Sequence, residues 1–214
     1  MLSSGVPKLD ELLGGGVEEG RVVLIEAVSC VGDLLALNFV VEALKRGMDS
    51  FMISGRKSAE DVRRFLMARG ADVSKLKTIT TSDRNSKLNL DELFLISHTI
   101  KELAKSMNFG LIDILHPLLI LHDPRKVYSL LSDIVHILRD SKVTTVMGID
   151  KRFVDNRTLA MLEDLSDVVI ELEEVVEGLS IRRGIRIKKN VLSPPTDFYS
   201  LKLDGTSFSI CERI

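Results

Sequence analysis

Short apolar segments alternate with segments of helical periodicity over most of this chain, and this alternation restricts the fold more than any other feature. The first apolar segment covers residues 22–25, and apolar residues at helical spacing follow it until Gly47 interrupts the pattern. The same alternation continues, with further strand-like segments at 51–53, 76–81, 109–113, 143–149 and 167–172. It is typical of a parallel β-sheet covered by helices, and it predicts an α/β fold.

The C-terminal part of the chain alternates in a different way. Residues 179–189 and 199–210 switch between apolar and polar side chains with the period of a β-strand. The dipeptide Asp204-Gly205 predicts a hairpin turn in the second of these segments. A polar loop is predicted at 82–87, but no segment is long or polar enough to separate two domains. We therefore expect one domain over residues 1–214, with antiparallel ribbons attached to the parallel sheet.

The composition disfavours several classes of protein. The formal net charge of -2 does not indicate nucleic acid or an anionic membrane as a partner, and an aromatic content of 5% disfavours a base-stacking platform. No apolar run is long enough to cross a bilayer, and the N-terminal residues lack the pattern of a signal peptide. Cys30 and Cys211 have neither metal-binding nor redox spacing. We expect free thiols, no metal site and a cytoplasmic location.

A glycine-rich segment precedes the first predicted strand. Residues 5–16 read GVPKLDELLGGG, and Glu19-Gly20-Arg21 leads into the apolar run at 22–25. This segment closely resembles the beginning of the core domain of RecA-type ATPases, most of all the KaiC and archaeal RadA-like branch. Weaker matches extend the resemblance to residue 210. It implies a RecA-like P-loop NTPase fold, with a central, mostly parallel sheet flanked by helices. It also implies that subunits stack head to tail, with the nucleotide between them.

The loop after the first strand differs from the phosphate-binding loop of that family. The family loop ends in Gly-Lys-Thr, where backbone N–H groups and the lysine bind phosphates and the hydroxyl group binds magnesium. Here the loop keeps Gly32, Asp33 stands at or beside the lysine position, and Leu34 has no hydroxyl group. A carboxylate 4 Å from a phosphate charge costs about 1 to 4 kcal/mol for each pair. We expect weak or absent binding of Mg-ATP.

Asp33 and Cys30 each have a second interpretation. Asp33 could be the N-cap of a helix that begins at Leu34, where its carboxylate would accept backbone N–H groups and contribute about 1 kcal/mol. We favour this cap. Cys30 lies in the same loop, where the start of a helix can promote thiol ionisation. A redox role for Cys30 stays open, although a small packed thiol is the favoured interpretation.

Three more positions bear on the nucleotide site. The family places a pair of glutamates after the second strand to polarise the attacking water, and Arg56 and Lys57 stand there instead. Neither can act as a general base at neutral pH. They could pair with Asp33, bind an anion, or be solvated loop charges. Asp113 ends an apolar strand and resembles the acid of the family's magnesium shell. We expect it to make a structural hydrogen bond or to pair with Arg56 or Lys57.

A basic segment near the C-terminus resembles the family strand whose Lys-x-Arg reaches the nucleotide of the neighbouring subunit. Lys189 fits the lysine, and Val191 replaces the arginine. Strand alternation places Arg182, Arg186 and Lys188 on one face. That face could meet phosphate or an acidic partner. The favoured interpretation is cross-strand pairing with the glutamates of the preceding strand, Glu171, Glu173 and Glu177.

Together these features predict a KaiC/RadA-like ATPase homologue without catalytic residues and with weak or absent binding of ATP and magnesium. It would act as a structural or regulatory protein through contact with itself or with an active relative. One alternative is a residual nucleotide-binding switch or slow ATPase that uses Asp113 and Lys189. Another is a recombination accessory that binds DNA through Arg182, Arg186 and Lys188, which the charge and aromatic content do not favour.

Overall fold

The computed structural model describes residues 1–81 and 88–214, and the predicted polar loop at 82–87 lies outside them. Its strands are β1 (Val22–Ala27), β2 (Ser50–Ser54), β3 (Leu76–Thr80), β4 (Phe109–Asp113), β5 (Thr144–Asp150), β6 (Val168–Glu177), β7 (Ser180–Asn190), β8 (Tyr199–Asp204) and β9 (Ser207–Arg213). Its helices are α1 (Pro7–Leu12), α2 (Val31–Lys45), α3 (Ala59–Met67), α4 (Leu93–Ala104), α5 (Leu115–Leu121), α6 (Pro124–Asp140) and α7 (Asn156–Leu165). Short 3-10 turns lie at Val73–Lys75 and Lys151–Phe153.

The described strands form one sheet in the order β3-β2-β4-β5-β1-β6-β7-β8-β9. Strands β1 to β6 pair in parallel, and β7, β8 and β9 are added antiparallel to the β6 edge. The predicted α/β class is therefore confirmed, including its C-terminal ribbons. The predicted hairpin is also present, since Asp204 pairs with Ser207 across the turn between β8 and β9.

The two faces of β1 belong to two layers of the core. Val23 and Ile25 pack in the layer that contains α1, α2 and α3, whereas Val22 and Leu24 pack with α4, α6 and α7. Helix α2 lies against the sheet with Leu35 and Phe39 fully buried. Burying each such side chain contributes roughly 1.5–3 kcal/mol. This burial fixes the start of α2 beside the carboxyl end of β1.

Several element boundaries differ from the sequence prediction. Helix α2 begins at Val31 rather than at Leu34, and α5 was not predicted. Pro117 is the third residue of α5, where the ring needs no hydrogen-bonded N–H of its own. Strand β6 continues to Glu177. Its pairing with β1 ends at Glu171, whereas its pairing with β7 extends to Glu177.

Candidate functional site at the carboxyl ends of β1, β2 and β4

Three connections meet at one edge of the sheet. β1 leads through residues 28–30 into α2, β2 leads through residues 55–58 into α3, and β4 ends at Asp113. Strands β2 and β4 pair in parallel with Ser54 opposite Asp113, so both end at the same level. Carboxyl ends of parallel strands are where ligands bind in open α/β sheets. This edge is therefore the candidate site.

Four of the predicted site residues form a closed ring of charges at this edge, which we call the charge ring. Arg56 Nη2 lies 2.9 Å from Asp33 Oδ1 and 3.0 Å from Asp113 Oδ1. Lys57 Nζ lies 3.0 Å from Asp33 Oδ2 and 3.0 Å from Asp113 Oδ2. Each acid thus contacts both bases, and each base contacts both acids. Of the alternatives left open for Arg56 and Lys57, the structure has the pairing with the two acids.

The prediction that Asp33 caps the helix is wrong. An N-cap residue needs extended backbone just before the first helical residue. Asp33 is instead the third residue of α2, and Cys30, which precedes the helix, has helical φ and ψ of -61° and -6°. The carboxylate of Asp33 turns to Arg56 and Lys57. Its place in the first turn still suits the positive end of the helix dipole.

Ser54 at the end of β2 holds the ring in position. Its hydroxyl group donates to Asp113 Oδ2 at 3.1 Å. The Oγ atom of Ser54 also accepts the backbone N–H groups of Arg56 at 3.3 Å and of Lys57 at 3.0 Å. The loop between β2 and α3 is closed further by Ser58, whose side chain caps α3 by accepting from the N–H of Asp61. The basic residues are therefore fixed by backbone contacts as well as by charge.

The charges in the ring stabilise one another. Burial opposes the charge of Arg56, but the carboxylates of Asp113 and Asp33 outweigh it and raise the pKa of the guanidinium group. The side chain of Asp113 is 7% exposed, and that of Arg56 is 41% exposed. Exposed ion pairs contribute little, whereas a buried carboxylate that loses its partners is costly. Asp113 is therefore the residue on which the stability of the ring depends most.

Gly32 allows the first turn of α2 to approach β1. A Cβ atom added at Gly32 would lie only 2.7 Å from the Cβ of Ala27. Leu34 is half-buried on the same helix and brings no polar group to the site. The sequence between β1 and the middle of α2 contains no lysine, and Ser29 is its one hydroxyl residue from 26 to 37. The close approach of this turn to β1 depends on glycine.

A cavity of about 230 Å³ lies beside the charge ring. Its wall includes Ser29, Cys30, Arg56, His116 and Asp150. Cys30 is exposed, so the interpretation as a packed thiol is wrong. The Nε2 atom of His116 accepts the backbone N–H of Asp150 at 2.7 Å, and burial, followed by the charge of Arg56, lowers the pKa of this histidine. A histidine in this environment is neutral near neutral pH.

Sequence reasoning missed His116 and Asp150 as members of this site. Predicting a helix that begins at Leu115 would have indicated His116, because this helix brings His116 to the end of β5. The prediction of a strand ending at Ile149 also left out Asp150, which is the last residue of β5.

The predicted basic face is occupied by contacts within the chain. Arg182 Nε lies 2.9 Å from Glu177 Oε2, and Arg186 Nε lies 2.6 Å from Glu171 Oε2. These are two of the predicted cross-strand pairs. Lys188 does not take part in such a cross-strand pair. It lies at a bulge, between Ile187, which faces Ile170, and Lys189, which faces Val169. It contacts Glu26 and Glu163, and the third predicted glutamate, Glu173, contacts Lys151.

Lys189 is also used within the chain. Its Nζ atom donates to the backbone carbonyl of Glu163 at 2.8 Å, at the end of α7. Strands β7 and β4, which carry Lys189 and Asp113, are separated by β5, β1 and β6. That order corresponds to roughly 19 Å across the sheet, at about 4.8 Å for each strand spacing. The two residues therefore do not form one site within a single chain.

The helices in residues 1–81 and 88–214 include none with the length and apolar character needed to span a membrane.

Comparisons with known proteins agree with this architecture. A sequence model of the KaiC ATPase family matches residues 2–194 of the chain. Among solved structures, the fold is similar to that of the KaiC-like protein PH0186 from the hyperthermophilic archaeon Pyrococcus horikoshii OT3, with a TM-score of 0.76. The two sequences are 22% identical, and the match covers 98% of each chain, so this similarity shows the fold alone. The search of curated proteins gave no match.

Proposed function

The chain belongs to the KaiC family of ATPase domains, and we propose that it is a member that has lost ATP hydrolysis and tight Mg-ATP binding. Its role is then structural or regulatory, through contact with itself or with an active relative. The resemblance to the family implies that a nucleotide site would lie at the start of α2, where this chain has the charge ring. The observation that carries the proposal is that two acids and two bases already neutralise one another there.

The charge ring opposes a nucleotide in two ways. Asp33 would face phosphate oxygens, and each such pair of like charges at 4 Å costs about 1 to 4 kcal/mol. Arg56 and Lys57 could attract phosphate, but their charges are already used by Asp33 and Asp113 at 2.9–3.0 Å. A phosphate would have to break these contacts before it could form its own.

The residues that would supply a general base and a magnesium ligand for hydrolysis have also been replaced. A general base must accept a proton from the attacking water, and a guanidinium or ammonium group at positions 56 and 57 has no such capacity near pH 7. The side chain of Leu34 offers no oxygen to a magnesium ion, which prefers oxygen ligands. Asp113 resembles the acid of the family's magnesium shell, and it is held by both bases.

Isothermal titration calorimetry with Mg-ATP and Mg-ADP tests the proposal directly. We expect no saturable heat at millimolar nucleotide and no phosphate release in a parallel assay. The matched variant is Asp33→Asn, which leaves the ring with a net charge of +1. Removing one repulsive charge pair should tighten nucleotide binding about tenfold. The control is Glu60→Gln, which removes an exposed carboxylate in the first turn of α3 and should behave like the parent protein.

Two outcomes would contradict the proposal. Micromolar binding of Mg-ATP with turnover by the parent protein would restore an enzymatic role, and micromolar binding without turnover would favour the nucleotide-binding switch. The molar mass of the same samples by light scattering tests contact between copies. Self-association predicts a mass above the 23.8 kDa of one chain that is the same with and without nucleotide.

A further inference from the structure

A second group of charges lies between β1, β6, β7 and α7, and its ion pairs share no residue with the charge ring. At its centre is Glu26 on β1, which is fully buried. Lys188 on β7 lies 3.2 Å from Glu26 Oε2 and 2.8 Å from Glu163 Oε1 on α7. Glu171 on β6 stands directly opposite Glu26 in the parallel ladder. Ile149 stands opposite Glu26 on the other side, on β5, and carries no charge.

Glu171 connects this group to further charges. Lys151, in the turn after β5, lies 2.7 Å from Glu171 and also contacts Glu173. Arg186 on β7 lies 2.6 Å from Glu171. We call the whole set the Glu26 cluster; its acids are Glu26, Glu163, Glu171 and Glu173, and its bases are Lys151, Lys188 and Arg186.

The acids of the Glu26 cluster outnumber its bases by one, so one carboxylate lacks a full counter-charge. Glu171 is not that residue, because it contacts both Lys151 and Arg186. Glu163 and Glu173 are partly exposed and can be hydrated. Glu26 is buried, shares its one contacting base with Glu163, and has an oxygen, Oε1, without a hydrogen-bond partner among the described residues.

The ionisation of the two facing acids follows this geometry. Burial, and then the negative charge of Glu163, raise the pKa of Glu26 to about 7, with Lys188 opposing them. Burial also acts on Glu171, but Lys151 and Arg186 outweigh it and lower the pKa of that carboxyl group. A carboxyl group is kept neutral in this way when it is buried without a full counter-charge. Glu26 therefore changes charge close to neutral pH.

We propose that Glu26 is a proton-controlled latch that holds α7 and the β6–β7 ribbon against β1 when it is neutral and loosens them when it is ionised. Ionisation adds an uncompensated charge to the buried interface, and separating the elements would let water reach it. The latch uses neither a nucleotide nor the charge ring, so it does not depend on the proposed loss of ATPase activity.

The direction of the effect follows from proton binding. An opened state exposes Glu26 to water, where the pKa of a glutamate returns to its ordinary value of 4.5. Between that value and about 7, the closed state keeps a proton that the open state has released. Opening therefore becomes easier as the pH rises through this window, and the latch is strongest below it.

Hydrogen exchange followed by mass spectrometry tests the latch. After correction for intrinsic exchange rates, protection of peptides covering α7 and residues 181–190 should fall about tenfold from pH 6 to pH 8. In Glu26→Gln, which keeps the shape but cannot ionise, the change should be less than about twofold. Glu102→Gln, an exposed glutamate that lies 2.6 Å from Lys105, is the matched control and should keep the dependence of the parent protein.

A second variant keeps the proposal testable if Glu26→Gln folds poorly. Glu163→Gln removes the acid that shares Lys188 with Glu26, so Lys188 is left to Glu26 and the fall in protection should move to lower pH. Protection in the parent protein that does not change with pH would overturn the latch. So would an unchanged dependence in both Glu26→Gln and Glu163→Gln.

Discussion

At the scale of single residues, the candidate site is defined by the charge ring, in which Asp33 and Asp113 each contact both Arg56 and Lys57. Asp33, Arg56, Lys57 and Asp113 follow or end apolar strands, and parallel strands bring such residues to one edge. The sequence left open whether the bases pair with Asp33, bind an anion or stay solvated. The choice depends on the start of α2, which lies at Val31 and turns Asp33 toward Arg56 and Lys57. Periodicity alone does not locate such a boundary, because Val31 and Leu34 are both apolar.

The dependence of Asp113 on two bases leads to a stability prediction. Replacing Lys57 by Met leaves Arg56 in contact with Asp113, so the loss should be about 1 kcal/mol. The double change Arg56→Met with Lys57→Met leaves a buried carboxylate without a base, and should lower the free energy of unfolding by about 3 kcal/mol. Urea unfolding monitored by circular dichroism measures both.

The double change should therefore cost more than the sum of the two single changes, because either base alone still reaches Asp113. Arg64→Met is the control, since it breaks an exposed pair with Asp61 on α3 and should change little. Strict additivity of the single changes, or a double variant as stable as the parent protein, would show that the charge ring contributes no joint stability.

At the scale of elements, the contact between α2 and β1 sets the geometry of the site. The sequence predicted both elements, a strand at 22–25 and a helix that begins at Leu34. It did not show how near the first turn would come to the strand, because that distance depends on the size of side chains at Ala27 and Gly32. The unpredicted helix α5 and the bulge at Lys188 each carry a contact over a long sequence separation, His116 with Asp150 and Lys188 with Glu26. Periodicity within one segment does not show such contacts.

A methyl group at Gly32 should push α2 away from β1. The added Cβ would lie 2.7 Å from the Cβ of Ala27 and 3.5 Å from Ile25 Cγ2, so Gly32→Ala forces the helix to shift. Such overpacking typically costs 1–3 kcal/mol, and we expect a loss of about 2 kcal/mol. Gly148→Ala on β5 is the matched control, because a Cβ there meets no atom within 4 Å. Thermal unfolding of both variants measures the difference. Equal unfolding midpoints for Gly32→Ala and Gly148→Ala would contradict the close packing of α2 against β1.

At the scale of the whole molecule, the order of the strands in the sheet cannot be predicted from periodicity. Alternation predicted a parallel sheet, and the resemblance to RecA-type ATPases supplied its architecture. The central position of β1 between β5 and β6 brings Glu26 opposite Glu171. No local pattern predicts that pair, because the two glutamates are separated by most of the chain. The contact between these two buried acids therefore arises only when the strands assemble into the sheet.

Two buried groups should oppose each other in the pH dependence of global stability. Glu26, whose pKa is raised to about 7, contributes stability that is present below 4.5 and is lost as the pH rises through 7. This loss is at most about 3 kcal/mol. His116, whose pKa burial lowers below 6.5, acts in the other direction. Its contribution is present above 6.5 and is lost as the pH falls, because the unfolded state binds the proton more readily.

Single variants should separate these two contributions in urea unfolding measured at pH 5, 6, 7 and 8. In Glu26→Gln the free energy of unfolding should rise with pH, since the histidine contribution remains. In His116→Gln, whose amide oxygen can still accept the N–H of Asp150, it should fall more steeply than in the parent protein. The parent curve should lie between the two in slope. Three parallel curves would mean that neither group is protonated differently in the folded and unfolded states, and the surplus charge of the Glu26 cluster would then have no effect on folding.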